Sequence, residues 1–524
     1  MRGKGGAASW SSCGSDGWSL QLPRKSSARQ GLDAFALCSF IELSCQRPKL
    51  QATARGLSTL TYRTRDIFTT GNSTMPKVLS YTPSWLARPS PGYSMFAPKP
   101  TTSKASVQKE QSTGLRRNIA TRQSEIFVAA GHEIRWADLA QLKEEDSPIY
   151  RTLRIPMPLP IERLTISPSG EYLAVSTSHT VHIVCLPKYD ALNTGDDSPL
   201  KPKTFQVGPT AHVLEESQVA AVLWHPLGYH GHCLVTVTQA GVVRLWEINR
   251  VDRSSFSEPT LSIDLAKLAN AETDQEDLGA SKLGASKGFS PDSVDLEVAS
   301  ACFGDLADQE GVHGWAPMTL WVATISGSVY ALCPLLPTKW QLVEAPGATT
   351  FMQTLTSSIN INYADVTEDA SAPKDDKVIA EKQHSWMNDI LYQEPQEEEL
   401  SKEDTIKVFI RPSSVPAVPL LQGPFSIMPE VEEFELSDMT VYSFKTFSSG
   451  TEDEAAEGLP AAVVCLLTDT CQVHVCLDLE GIVGRWLPSP EVSAETACRR
   501  LRANSSRTTL FWNPSNIVSS LPKP

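Results

Sequence analysis

The 524-residue chain has no run of about 18 uncharged apolar residues, the length a membrane-spanning helix needs. Its best candidates are residues 461–467, which are too few, and 32–41, which contain Asp33. Insertion into a membrane is therefore not expected. Positive charge is also short, with 46 Lys and Arg against 60 Asp and Glu. A net charge of −14 repels nucleic-acid phosphate over most of the surface, so direct nucleic-acid binding is not expected either.

Motifs that carry chemistry are missing too. There is no Gly-x-Ser-x-Gly elbow. His132-Glu-Ile-Arg-Trp136 begins like a zinc-protease helix but has Trp where the second His belongs, and it sits in a hairpin turn. Residues 279–286 imitate a phosphate loop without the Lys that would hold phosphate. Three His occur in His225-Pro-Leu-Gly-Tyr-His-Gly-His232, but no Cys or carboxylate joins them, and a polar inter-strand loop accounts for them better than a metal site. The 11 Cys are scattered, and Cys185, Cys333, Cys465 and Cys476 lie inside apolar runs, as free thiols do when they pack as small hydrophobes in a reducing compartment. No catalytic residue, metal ligand or cofactor is assigned, and the chain is not expected to be an enzyme.

What is present is a repeat. With Ala129, Ser176, Thr238, Thr324 and Thr468 as anchors, the positions one and three before and five and seven after are all apolar. The unit is a strand, a turn of about four residues and a second strand, each with period-two burial. Residues 164–170, 222–228 and 299–304 add a further strand upstream of three units. Hairpins too thin to stand alone must stack, which predicts an all-β, WD40-like propeller of six or seven blades, seven favoured. Anchor spacings of 47, 62, 86 and 144 residues require insertions at 189–216, 252–295 and 363–404. The last carries 13 Asp and Glu against 4 Lys, and the second repeats Leu278-Gly-Ala-Ser-Lys282 in tandem; both read as solvated, disordered loops. The 144-residue gap leaves room for weaker blades near 351–361 and 406–443.

The expected organisation follows from these shifts in composition. Residues 1–74, with ten Lys/Arg and four acids, read as a disordered basic leader or an artefact of the gene prediction, a transit peptide being the weaker reading. A Pro-rich extended arm spans 75–119, the propeller 120–487, and a disordered tail 488–524. Inside the acidic insertion, residues 381–392 read as a short helix whose Trp386 and Ile390, and Met387 and Leu391, pair at i, i+4 into one apolar face. That face either folds back onto its own propeller, the favoured reading, or docks a partner.

The opening Met75-Pro-Lys-Val-Leu-Ser-Tyr-Thr-Pro-Ser-Trp-Leu-Ala-Arg-Pro-Ser-Pro-Gly92 and the blades at 161–186 and 218–249 resemble the fungal eighty-two-kilodalton nucleoporin family, counterpart of the animal eighty-eight-kilodalton one. The resemblance covers about residues 75–487. It implies a seven-bladed propeller scaffold on the cytoplasmic face of the nuclear pore complex. Such a scaffold anchors Phe-Gly nucleoporins and supports mRNA export, ribosomal subunit export and nucleocytoplasmic protein transport. Its implied partners are the autoproteolytic domain of a Phe-Gly nucleoporin and the tail helix of a cytoplasmic-filament nucleoporin. The family's coiled-coil region is not expected in residues 488–524, whose prolines and irregular apolar spacing keep no heptad. A propeller-type substrate receptor of a ubiquitin ligase, or a propeller hydrolase, is the alternative from another class.

Overall fold

A computed structural model describes residues 93–96, 117–139, 150–189, 198–269, 296–304, 314–344, 351–399, 405–428, 434–443, 462–486 and 509–512. All of these fall in one unit of the chain, residues 48–524. The basic leader, the tandem Leu-Gly-Ala-Ser-Lys copy and most of the arm and tail lie outside the described residues.

Three sheets follow one another with strands in chain order. The first holds β1 (Ile119–Arg122), β2 (Glu125–Ala130), β3 (Glu133–Asp138) and β4 (Arg151–Leu153). The second holds β5 (Arg163–Ile166), β6 (Tyr172–Ser176), β7 (Val181–Cys185) and β8 (Thr204–Val207). The third holds β9 (Val219–Trp224), β10 (Cys233–Thr238), β11 (Val242–Glu247) and β12 (Leu261–Asp264). The fourth sheet is β13 (Val298–Phe303), β14 (Leu320–Thr324) and β15 (Val329–Leu332), completed by the late β19 (Leu421–Gln422). Between these, β16 (Lys339–Glu344), β18 (Thr405–Ile410) and β17 (Gln396–Glu399) make a three-stranded sheet in that spatial order. The sixth sheet runs β20 (Ser426–Met428), β24 (Thr509–Trp512), β23 (Val473–Asp478), β22 (Ala462–Thr468), β21 (Leu436–Ser443).

Neighbouring sheets meet through their inner strands, β1 on β5, β5 on β9, β9 on β13 and β13 on β21. The five anchored hairpins lie in five different sheets, as the repeat requires. In the third, Val235 faces Leu245 and Val237 faces Val243 across the ladder, and all four are fully buried in one core cluster. The hairpin turns need left-handed backbone, and Gly131, Gly241 and Gly327 supply it at φ +66, +80 and +86.

Several expectations change. In the sixth sheet the buried face of β22 is Ala462, Val464, Leu466 and Thr468, one residue out of phase with the anchored Cys465 and Leu467. A run in which both phases are apolar carries no period-two signal, and only packing selects the face. Segments expected to be insertions supply outer strands, β8 within 189–216 and β12 within 252–295, the second of which was also expected to be a disordered loop. The acidic insertion is not a disordered loop, because it folds into helices and β17, and residues 351–361 are helix where a weak blade was expected. The tail is not wholly without structure, since its Thr509–Trp512 form β24 and extend the sixth sheet past residue 487. Among its described residues the arm forms one helical turn, α1 (Tyr93–Phe96), and a short helix, α2 (Pro209–Leu214), precedes β9. Met95 of α1 is fully buried against Ile126, Val128 and Ala137, and its carbonyl accepts from Arg135 at 2.7 Å.

Candidate functional site

Two features stand apart from the repeated hairpins. One is a polar node where the inner strands converge. Asp438 of β21 accepts hydrogen bonds from Arg117 Nη2 at 2.8 and 2.7 Å and from Ser300 Oγ of β13 at 2.6 Å. Burial lowers the pKa of the neighbouring Arg163, with Arg117 acting in the same direction and Asp438 against it.

The other is a helical hairpin, α3 (Phe351–Glu368) and α4 (Lys374–Leu391). The chain forms helices here because its apolar residues recur at helical spacing: Met352, Leu355 and Ile359 at three and four on one, Ala380, Met387 and Ile390 at seven and three on the other, with Trp386 four before Ile390. Asp375 and Asp376 sit in the first turn of α4, where carboxylates complement the helix dipole. Trp386 packs between Trp315 and Trp486, with ring centroids 5.1 and 6.0 Å away. Buried Gln383 donates to the carbonyl of Gly484 at 2.8 Å. Backbone approach is close enough at Gly314 that a Cβ would stand 2.7 Å from Leu355 Cβ. At its C-terminal end the helix is tied to β18 by Gln393, whose side chain donates to Ile410 O and accepts from Ile410 N.

Trp386, Met387 and Ile390 are therefore core residues, each 1% exposed, and are not available to a partner. Leu391 stays outside at 54% exposure, beside Tyr392 at 85%. Ile361 of α3 and Ile410 of β18 are exposed as well. Tyr392, Ile361 and Ile410 escaped the reading of the sequence. Each lies off the apolar face that marks its element as packed, and a residue off-pattern carries no periodic signal. The surroundings are acidic: residues 363–404 hold 13 Asp and Glu against 4 Lys, a net of −9.

Among the described residues no group of three or more His, Cys, Asp and Glu is arranged to hold a metal ion. The three His of 225–232 diverge. His225 is buried, donates through Nε2 to Leu335 O at 2.8 Å and accepts from Leu227 N at Nδ1, so it is the neutral Nε2–H tautomer. Burial pushes its pKa down to about 4. His230 faces Glu398 and His232 faces Glu171, each at 3.5 Å. Burial holds Cys302, Cys333 and Cys476 up at about 12, in keeping with thiols that pack and do not react.

Sheets whose strands pair antiparallel, apart from β20 with β24, and which meet at their inner strands define a β-propeller, with a helical hairpin packed against the later ones. The chain belongs to the nucleoporin NUP82 beta-propeller family, which matches residues 77–510. It is 42% identical over 461 residues to nucleoporin NUP82 of Chaetomium thermophilum and 23% identical over 372 residues to nucleoporin nup82 of Schizosaccharomyces pombe. Those alignments cover 79% and 63% of this chain but 51% and 42% of the relatives, so the chain spans about half their length or less. The crystal structure of the Chaetomium thermophilum heterotrimeric Nup82 NTD-Nup159 TAIL-Nup145N APD complex is similar at a TM-score of 0.64 and 42% identity, covering 82% of this chain and 77% of that one. The family is one of structural nucleoporins, not of enzymes.

Proposed function

We propose that the chain is a propeller scaffold on the cytoplasmic face of the nuclear pore complex, holding other nucleoporins in place and so supporting mRNA export and nucleocytoplasmic transport. The observation that carries this is the 42% identity, over most of this chain, to a propeller crystallised with a Nup159 tail and a Nup145N autoproteolytic domain. By that likeness the partners here are an equivalent tail segment and an equivalent autoproteolytic domain. The helical hairpin is the docking face of this reading: Leu391 and Tyr392 are exposed apolar groups on a rigid support whose own anchor, Trp386, is spent on the core. Rigid support lowers the ordering cost of binding. RNA reaches the scaffold through its partners, because the acidic surface does not attract phosphate.

The test is co-elution of the purified chain with the Nup159 tail and the Nup145N autoproteolytic domain, each tried separately. Stable complexes with both are expected. Absence of both complexes, or recovery of ubiquitin-ligase adaptors in their place from cells, overturns the proposal.

A further inference from the structure

The outer edge of the first sheet carries a short added segment, remote in sequence from the helical hairpin. Residues 198–200 run beside β4: Leu200 N donates to Thr152 O at 3.0 Å and Arg154 N donates to Leu200 O at 2.8 Å. Ahead of this hooked residue, Ser198 and Pro199 are exposed. Behind Ser198 stands Arg151, which is 5% exposed and donates to the Ser198 carbonyl through Nη2 at 3.2 Å and through Nε at 3.4 Å. The chain continues Ser198-Pro-Leu-Lys-Pro-Lys203, and both Lys201 and Lys203 are exposed.

A Ser-Pro pair by itself is common in loops. Three things set this one apart. Its hydroxyl-bearing residue is in solvent, a basic side chain stands three positions on, and an arginine already held by the fold lies within reach of the acceptor residue. Protein kinases select substrates by such charge patterns. Those that are proline-directed take an acceptor Ser whose next residue has no N–H and a fixed φ, and favour Lys or Arg two residues beyond it. A phosphate carries about −1.5 to −2 charges and three strong acceptor oxygens, and an ordered guanidinium is its best protein partner.

The geometry points to Ser198 as a phosphorylation site for a proline-directed serine/threonine kinase, with Arg151 as the residue that receives the phosphate. In the step itself, the bond from the γ-phosphorus of ATP to its β,γ-bridging oxygen breaks and a bond to Ser198 Oγ forms. The hydroxyl proton goes to the kinase's base and ADP leaves. The resulting dianion pairs with Arg151 and Lys201 and fastens residues 198–200 to β4, stiffening the outer edge of the first sheet.

The full chain is incubated with ATP and a cyclin-dependent kinase, and the phosphate is mapped by mass spectrometry. Phosphate on Ser198 is expected, lost in Ser198→Ala and incorporated about tenfold more slowly in Lys201→Ala. Modification elsewhere only, or an unchanged rate in Lys201→Ala, overturns the site. Both replaced side chains are exposed, so neither variant endangers the fold. For the receiving arginine, a phosphorus NMR titration of the phosphorylated chain should place the phosphoserine pKa below its ordinary value of about 6 when folded and return it there in urea. The same pKa in both states overturns the role of Arg151.

Discussion

Arg117 and Asp438 are 321 residues apart in sequence, and their side chains meet at 2.7 Å. Arg117 leads into β1 of the first sheet and Asp438 belongs to β21 of the sixth, so the pair joins the beginning of the repeat to its end. Among the described residues no strand is shared between these two sheets, and a charge-assisted contact joins them.

Replacing Asp438 with Ala removes the acceptor of both Arg117 and Ser300. Arg117 is partly exposed and solvent screens it, so most of the loss comes from the buried Ser300 side, about 1–3 kcal/mol. Urea titration of the variant should show a lower midpoint, and an unchanged midpoint would show that the contact closes nothing.

Leu245→Ala should cost about 2–5 kcal/mol, because the side chain is fully buried among Val235, Val237 and Val243. A thermal melt that does not move would reject the core assignment of the third sheet.

Trp386 and Tyr392 are six residues apart on one helix end and should behave in opposite ways. Trp386→Ala empties a site between two other tryptophans and is expected to cost about 3–5 kcal/mol. Tyr392→Ala should leave stability within about 0.5 kcal/mol and weaken capture of the tail or the autoproteolytic domain. Calorimetry of both variants, with and without each partner, separates the two effects.

Asp478 gives a signed pH dependence. Burial raises its pKa from 3.8 to about 6, against the lowering effect of the Gly481 N–H it accepts. Between those values the folded chain binds a proton that the unfolded chain does not, so this group adds stability as pH falls from 7 toward 4. Relative to Asp478→Asn, the parent chain should gain up to about 3 kcal/mol over that window. Paired urea titrations at pH 7 and pH 5 should capture about 1 kcal/mol of it, and an unchanged difference between the two chains would contradict it.

The third sheet was legible because polar residues interrupt its apolar ones: Thr236 and Arg244 set the phase of Val235, Val237, Val243 and Leu245. What made Thr238, Thr324 and Thr468 recur as anchors was hidden, since it is chemical and not apolar. Each hydroxyl accepts the backbone N–H four residues on, from Val242, Ser328 and Gln472, and so closes its own turn. The acidic insertion misled because net charge argues for solvation, while its helices are held by a minority of residues that face inward. The proposed docking face was legible only in part, as Leu391, because the exposed side of a packed helix follows no rule of burial.

The placement of β24 bears on how the protein can be made. Synthesis proceeds from the N-terminus, and the first three sheets have all their strands once residue 264 has left the ribosome. The sixth does not, because β24 lies between β20 and β23, each of which then keeps an unpaired edge until residues 509–512 emerge. A nascent chain at that stage carries two open β edges beside finished sheets, the condition under which foreign strands add most readily. Ribosome-bound intermediates stalled before residue 509 are thus where a chaperone would have the most to cover.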